Sequence, residues 1–152
     1  IGKIGIDEKI LNKPGRLTVE EFNEMKKHTL IGASMLSKME RYKEEPLIDV
    51  AYQICRWHHE RYDGKGYPRR IAGEDIPLTA RILCVADSFD AMTSKRCYKK
   101  AFPIEVAREK LLQDAGRQFD PDLVYKFVEC LDNGSITLVK AEETVDNLKE
   151  IL

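Results

Sequence analysis

The chain has 152 residues, of which 43% are hydrophobic and 34% charged, with a formal net charge of −1. This length predicts one domain with a core of its own. The balanced charge argues against nucleic-acid binding, which calls for an excess of positive charge. No apolar run approaches the roughly 18 residues of a membrane span and no signal peptide is visible. The four cysteines are scattered, and we expect them to be reduced. Reduced cysteines are typical of a cytoplasmic protein, which is the predicted location.

Apolar spacing in the first half of the chain predicts two long helices. A capping box begins at Thr18, and the pattern after it predicts one helix to about Lys38, with His28 on the inward face. A second apolar helix over 46–57 ends at the pair His58-His59. All three histidines of the chain therefore lie on these two predicted helices or directly at their ends.

The second half begins with a loop over 60–77 that has neither helix nor strand periodicity. Loops of this length are usually functional or disordered, and its tyrosines and isoleucines favour an ordered loop. The next helix, over 78–92, is apolar nearly all round, which predicts that it is central and that Asp87 is buried within it. Further helices are predicted over 104–115 and 121–131. No alternating strand pattern is present, so the predicted class is all-α.

Three imidazoles and one carboxylate are the candidate metal ligands: His28, His58, His59 and Asp87. A buried carboxylate is costly unless a cation or donors meet it. Nitrogen and oxygen ligands on neighbouring helices suit iron, manganese or zinc. The spacing alone leaves open whether these residues bind metal, because Asp87 could instead cap a helix or pair with an arginine.

Several other polar residues have both a functional and an ordinary interpretation. Lys3 reads as a solvated lysine near a terminus, and Arg96 and Lys99 are either a phosphate clamp or a solvated basic edge. Tyr67 could stack on a base or fix the loop. Gly66 fits a tight turn or a backbone that approaches a ligand closely.

The segment from His58 to Pro68 resembles the hallmark of the HD-GYP family, a branch of the HD metal-dependent phosphohydrolases. The resemblance runs in order from Ile1 to about Leu131. It implies an all-α, HD-type helical bundle with a long ordered loop, here called the GYP loop (residues 60–77). It also implies a domain over 1–134 that lacks its N-terminal part, followed by a C-terminal extension or tail helix over 135–152. The other matching segments are Gly2–Ile6, Ile10–Gly15, Met25–His28, Ile76–Leu78, Ala80–Ile82, Ala86–Thr93 and Phe119–Pro121.

The resemblance further implies a phosphodiesterase of bacterial signalling that opens cyclic di-GMP to pGpG or GMP. Such enzymes use two or three metal ions, often iron or manganese, with zinc or nickel as further options. Expected partners are a cyclic dinucleotide, a sensory or receiver domain in the parent protein, and a diguanylate cyclase domain at the GYP loop. By the same resemblance, His28, His58 and His59 would bind one metal ion and Asp87 another. Lys3 would be the catalytic residue beside the reacting phosphate. Arg96 and Lys99 would bind phosphates, and Gly66 and Tyr67 would line the substrate cleft.

The chain departs from the family pattern at its start. The family's His-Asp pair would immediately precede Ile1, and the chain does not begin with methionine. We therefore expect the parent to be the hydrolase and this chain to bind no metal or one weakly, with little hydrolysis. Two alternatives are a degenerate module that senses the nucleotide or docks a partner, and an HD-superfamily nucleotide phosphohydrolase of other specificity.

Overall fold

The structure is a computed structural model that describes residues 1–42, 44–94 and 101–136. Within these ranges it contains helices and short turns and no β-strand, which confirms the all-α prediction. Arg96, Lys99 and the predicted tail beyond residue 136 lie outside the described residues. The helices are α1 (Glu8–Leu11), α2 (Val19–Lys26), α3 (His28–Ser37), α4 (Pro46–Trp57), α5 (Leu78–Thr93), α6 (Ile104–Gln113) and α7 (Pro121–Asp132), with 3₁₀ turns at Gly2–Gly5, Glu40–Tyr42 and Gly73–Asp75.

The helix predicted from Thr18 to Lys38 is in fact two helices, α2 and α3. The capping box is present: the Thr18 hydroxyl accepts from the Glu21 amide, and the Glu21 carboxylate accepts from the Thr18 amide. The prediction was wrong at Lys27, whose amide donates to the carbonyl of Glu24 at 3.0 Å. This three-residue spacing tightens the last turn of α2 and ends its ladder. His28 consequently begins a new helix.

The apolar core lies between α5, α6 and α7. Asp120 caps α7 by accepting from two backbone amides, and Pro121 occupies the first turn, where no amide hydrogen is needed. The second carboxylate oxygen of Asp120 pairs with Arg81 of α5, which ties the start of α7 to the middle of the domain. The core residues are Val85, Phe89, Ala107, Leu111, Phe119, Val124 and Val128.

Helix α5 is less buried than its sequence predicted. It packs against α4, α6 and α7, as a central helix should. Its fully buried residues, however, are Ala80, Val85 and Phe89, which lie on the side that faces the core. The prediction that Asp87 is buried was wrong, because its side chain lies on the opposite side and is exposed. Exposure removes the desolvation cost that a buried carboxylate would carry.

The N-terminal turn packs directly on the backbone of α3. A Cβ atom on Gly2 would lie 1.8 Å from the carbonyl oxygen of His28 and 2.6 Å from the amide nitrogen of Gly32. Only glycine permits this approach, which brings the turn against the first residue of α3. None of the helices in the described ranges is long and apolar enough to cross a membrane.

Candidate metal centre

Three histidines meet where α3 begins and α4 ends. His28 is the first residue of α3, and His58 and His59 directly follow the last residue of α4. One ligand nitrogen from each ring lies within 4.8 Å of the others. The Nε2 atoms of His28 and His58 are 3.4 Å apart. We call these three residues the three-histidine cluster.

Backbone carbonyls fix the protonation of two of the rings. The Nδ1 atom of His28 lies 2.6 Å from the carbonyl oxygen of Met25, and that of His58 lies 2.8 Å from the carbonyl of Ile54. A carbonyl oxygen only accepts, so each Nδ1 carries the hydrogen and each Nε2 of the neutral ring presents a lone pair. Two lone pairs then face each other, an arrangement that a shared cation relieves. Protein ligands of metal ions are oriented by such second hydrogen bonds.

His59 is held by the GYP loop. Its ring stacks on Tyr67 with centroids 4.8 Å apart and an angle of 28° between the planes. The Tyr67 amide donates to the carbonyl oxygen of His59 at 3.2 Å. A Cβ atom on Gly66 would lie 2.4 Å from the Arg61 nitrogen and 2.6 Å from the His59 carbonyl oxygen. Gly66 therefore allows the backbone of the GYP loop to pack directly on the backbone that follows α4, a contact within the protein that does not test the predicted approach to a ligand.

Glu60 is a buried carboxylate that fastens the far side of this loop. Its side chain is 2% exposed, and its Oε1 atom accepts from the amides of Arg69 and Arg70 at 2.6 and 3.1 Å. Arg70 has a φ of 58°, a left-handed conformation that non-glycine residues rarely adopt. The Oε2 atom meets no hydrogen-bond donor of the described residues. The carboxylate therefore holds a strained stretch of backbone in place.

The electrostatics of the cluster favour neutral imidazoles. Burial lowers the pKa of His28, His58 and His59, in the last case to about 3. The charges of the neighbouring histidines lower the pKa of His59 further, and the charge of Lys3 lowers the pKa of all three rings. Neutral rings keep their lone pairs, so metal binding near neutral pH requires no loss of protons. The donor set therefore fits a divalent transition-metal ion.

Lys3 and Asp87 lie beside the cluster without joining it. Lys3 stands on the N-terminal turn with its side chain exposed. The charge of Asp87 raises the pKa of His58 in opposition to burial, which indicates that the carboxylate is near. Among the described residues, the ligand atoms close enough together to share one metal ion come from the three histidines and not from Asp87.

A cleft of about 610 Å³ opens in front of the cluster. His58, His59, Gly66, Tyr67 and Asp87 are among the residues that line it. The structure therefore brings the described candidate residues to one place, with Lys3 at the neighbouring turn. The cationic residues of the lining outnumber the acidic ones, although Lys27 and Arg61 are paired with Glu24 and Asp63. The remaining small excess of positive charge suits an anionic ligand. The cations are Lys26, Lys27, Arg61, Lys65 and Arg70.

The sequence analysis did not single out Phe22, Lys26 or Glu60. Phe22 and Lys26 read as ordinary residues of an amphipathic helix, and Glu60 as part of a matched motif. The signal available for Phe22 and Lys26 was their four-residue spacing, which places them on the same side of α2. For Glu60 no local pattern predicts burial, because its partners are the amides of residues nine and ten positions later.

The family model of the HD domain matches residues 1–123. This chain belongs to the HD domain family. The match covers most of the domain that was predicted from the sequence. The resemblance to the HD-GYP branch is confirmed by the relatives described next, which are named as cyclic dinucleotide phosphodiesterases. The predicted domain boundary at residue 134 remains a prediction.

Three relatives show the extent of the similarity. The chain is 45% identical over 129 residues to a cyclic di-GMP phosphodiesterase of Thermotoga maritima, covering 85% of this chain and 34% of the relative. It is 48% identical over 124 residues to the cyclic di-GMP phosphodiesterase response regulator RpfG of Xanthomonas campestris, covering 82% and 32%. It is 42% identical over 132 residues to 3′3′-cGAMP-specific phosphodiesterase 2 of Vibrio cholerae, covering 87% and 24%. The chain thus spans between 24% and 34% of the length of these curated relatives.

Proposed function

We propose that the protein containing this chain is a metal-dependent phosphodiesterase that hydrolyses cyclic di-GMP to pGpG or GMP. The observation that carries the proposal is the three-histidine cluster, whose ligand nitrogens lie within 4.8 Å of one another at a cleft with a cationic lining. Relatives named as cyclic di-GMP phosphodiesterases support the choice of substrate.

The proposed cofactor is iron or manganese, with zinc and nickel as further options, because imidazole and carboxylate ligands accept all four. His28, His58 and His59 would hold one ion, and Asp87 would contribute to a second. A divalent ion in such a site supplies Lewis-acid activation of water and of a phosphoryl group.

The residues of the chain have separate roles in this proposal. The cationic lining attracts the phosphates of the substrate and raises their local concentration at the cluster. Lys3, whose charge lowers the pKa of all three histidines, would stabilise negative charge that develops on the reacting phosphate. Gly66 and Tyr67 form the wall that the substrate contacts, and Tyr67 also keeps the ring of His59 in position. Arg96 and Lys99, outside the described residues, are proposed phosphate ligands.

One observation favours a second candidate, a module that binds a cyclic dinucleotide or a partner without turnover. Asp87 is exposed and is not grouped with the histidines, so the described residues bring together protein ligands for one ion rather than two. In this case the GYP loop would dock a diguanylate cyclase domain, and an attached sensory or receiver domain would control the contact.

Turnover by the whole protein separates these functions. We expect the metal-loaded protein to convert cyclic di-GMP to pGpG or GMP, faster than it hydrolyses linear nucleotides. His58→Gln should abolish turnover, whereas Lys126→Gln, an exposed lysine on α7, should leave it unchanged. Tight binding of cyclic di-GMP without product would favour the binding module. Preferential hydrolysis of linear nucleotides would indicate an HD phosphohydrolase of other specificity.

A further inference from the structure

Helix α2 contributes Phe22, Asn23 and Lys26 to the lining of the cleft, and we call these three residues the α2 face. Phe22 and Lys26 are four residues apart, and Asn23 lies three residues before Lys26, so the three are neighbours on the helix surface. All three line the cleft that also holds His58 and His59.

Phe22 is a partly exposed aromatic ring inside a concave site. It is 44% exposed, although it is the largest apolar side chain of α2. Its ring meets Tyr67 edge to face, with centroids 6.2 Å apart and an angle of 82° between the planes. Open aromatic rings in clefts are surfaces on which nucleic-acid bases stack, because every base has a π-face.

Lys26 places an unpaired positive charge next to this ring. Its Nζ atom lies 4.6 Å from the ring centroid of Phe22 and 5.7 Å from that of Tyr67. The same atom donates to the Oδ1 atom of Asn23 at 3.1 Å, a contact that favours this position of the ammonium. None of the ion pairs found among the described residues includes Lys26, whereas the adjacent Lys27 pairs with Glu24. The ammonium of Lys26 is therefore available to an acceptor on a ligand.

We propose that the α2 face is a purine-base subsite that prefers guanine. The base would stack on Phe22, and its O6 and N7 acceptors would meet the ammonium of Lys26, which also donates to Asn23. Adenine carries an amino donor where guanine carries O6, so it offers Lys26 one acceptor fewer. This inference rests on the proposed function and adds that α2 reads a base of the cyclic dinucleotide, with Lys26 setting the preference for guanine over adenine.

Calorimetric titration of this chain with 5′-GMP, 5′-AMP and cyclic di-GMP tests the subsite without requiring catalysis. We expect Phe22→Leu to weaken binding of all three ligands by about tenfold, which is within the usual contribution of base stacking. Phe22→Tyr keeps an aromatic ring and should bind as the wild type does. Lys26→Gln should weaken 5′-GMP about fivefold and 5′-AMP by less, since it removes the donor to O6.

Two controls match these changes on a helix that does not line the cleft. Tyr125→Leu removes an aromatic ring that is 59% exposed on α7, and Lys126→Gln removes a lysine beside it. Neither should change nucleotide binding. Unchanged affinities in Phe22→Leu and Lys26→Gln, or no binding of 5′-GMP by the wild type at millimolar concentration, would overturn the subsite.

Turnover by the whole protein keeps this inference separate from the proposed function. With an active enzyme we expect Phe22→Leu to raise KM about tenfold and to leave kcat within twofold, because stacking is equal in ground and transition states. Normal turnover with an unchanged KM would overturn the subsite and leave the hydrolase intact. Weakened 5′-GMP binding in a protein that hydrolyses no cyclic dinucleotide would support the subsite and overturn the hydrolase.

Discussion

Both halves of the molecule bury apolar side chains, but the half around α3 and the GYP loop buries more polar ones. Between α5, α6 and α7 the interior consists of apolar groups such as Leu111 and Val124, both 0% exposed. Around α3 and the GYP loop the buried residues include His28, Thr29 and Glu60, whose polar atoms need partners. Apolar burial stabilises the first region through a non-directional effect, whereas the second depends on the directions of individual hydrogen bonds. Substitutions in the first region should therefore change stability without moving the metal site, whereas substitutions in the second should change the geometry of the metal site.

The largest expected effect on stability is in the apolar region. Leu111→Ala removes a fully buried side chain and should lower the free energy of unfolding by about 2 to 5 kcal/mol, measured by urea denaturation. Metal affinity of the folded fraction should not change, because the three-histidine cluster lies on other elements. A parallel fall in metal affinity would show that the two regions are coupled.

Gly66→Ala tests the second region, where the GYP loop packs beside the metal site. The added Cβ would lie 2.4 Å from the Arg61 nitrogen, so the loop must move away from the histidines at a cost of about 2 to 3 kcal/mol. Metal affinity should fall at least tenfold in calorimetric titration. Gly73→Ala is a matched control in the same loop: its Cβ meets nothing within 4 Å, and its φ of 57° costs only about 1 kcal/mol. Equal effects of the two changes would contradict the steric argument.

Glu60→Gln should have a smaller effect. It keeps an acceptor for the amides of Arg69 and Arg70 but removes its charge, which weakens each bond and should cost about 1 to 2 kcal/mol. Amide hydrogen exchange should accelerate at these two residues. Glu129→Gln, at an exposed position on α7, should leave their exchange unchanged. Uniform acceleration across the chain would indicate global destabilisation rather than release of the loop.

The smallest expected effect is the pH dependence of the metal-free chain. Burial lowers the pKa of His59 to about 3, below the ordinary value near 6.5, so the unfolded chain binds more protons between these values. Stability should therefore fall as pH falls from 7.5 to 6, by less than about 1 kcal/mol for this residue. Urea midpoints measured with a chelator present should show the decline, and His59→Asn should reduce it. A midpoint that rises towards pH 6 would contradict the buried, neutral ring.

Local signals in the sequence predicted most of the helical fold correctly. The capping box at Thr18 works through residues close in sequence and is found as predicted, and α7 begins at Pro121 as predicted. The break at Lys27 was missed because apolar spacing continues across it. The exposure of Asp87 was also missed: spacing shows which residues are apolar, but not which side of α5 has a neighbour.

The candidate site was predicted as a set of residues but not as a geometry. The three histidines were identified by their chemistry and by the family resemblance. The carbonyls of Met25 and Ile54 that orient two of the rings leave no trace in side-chain patterns, because backbone atoms provide the contact. The partly exposed ring of Phe22 was likewise invisible, because an apolar residue on an amphipathic helix is ordinarily expected to face the core.

Equilibrium titration of the chain with Mn²⁺, or with Fe²⁺ under anaerobic conditions, tests the three-histidine cluster most directly. We expect saturable binding of one ion per chain, and at least about 100-fold weaker binding in His28→Gln and in His58→Gln, because each removes a ligand. The exposed Lys126→Gln should bind as the wild type does. Identical binding by the wild type and both histidine variants would contradict a metal site at the three-histidine cluster.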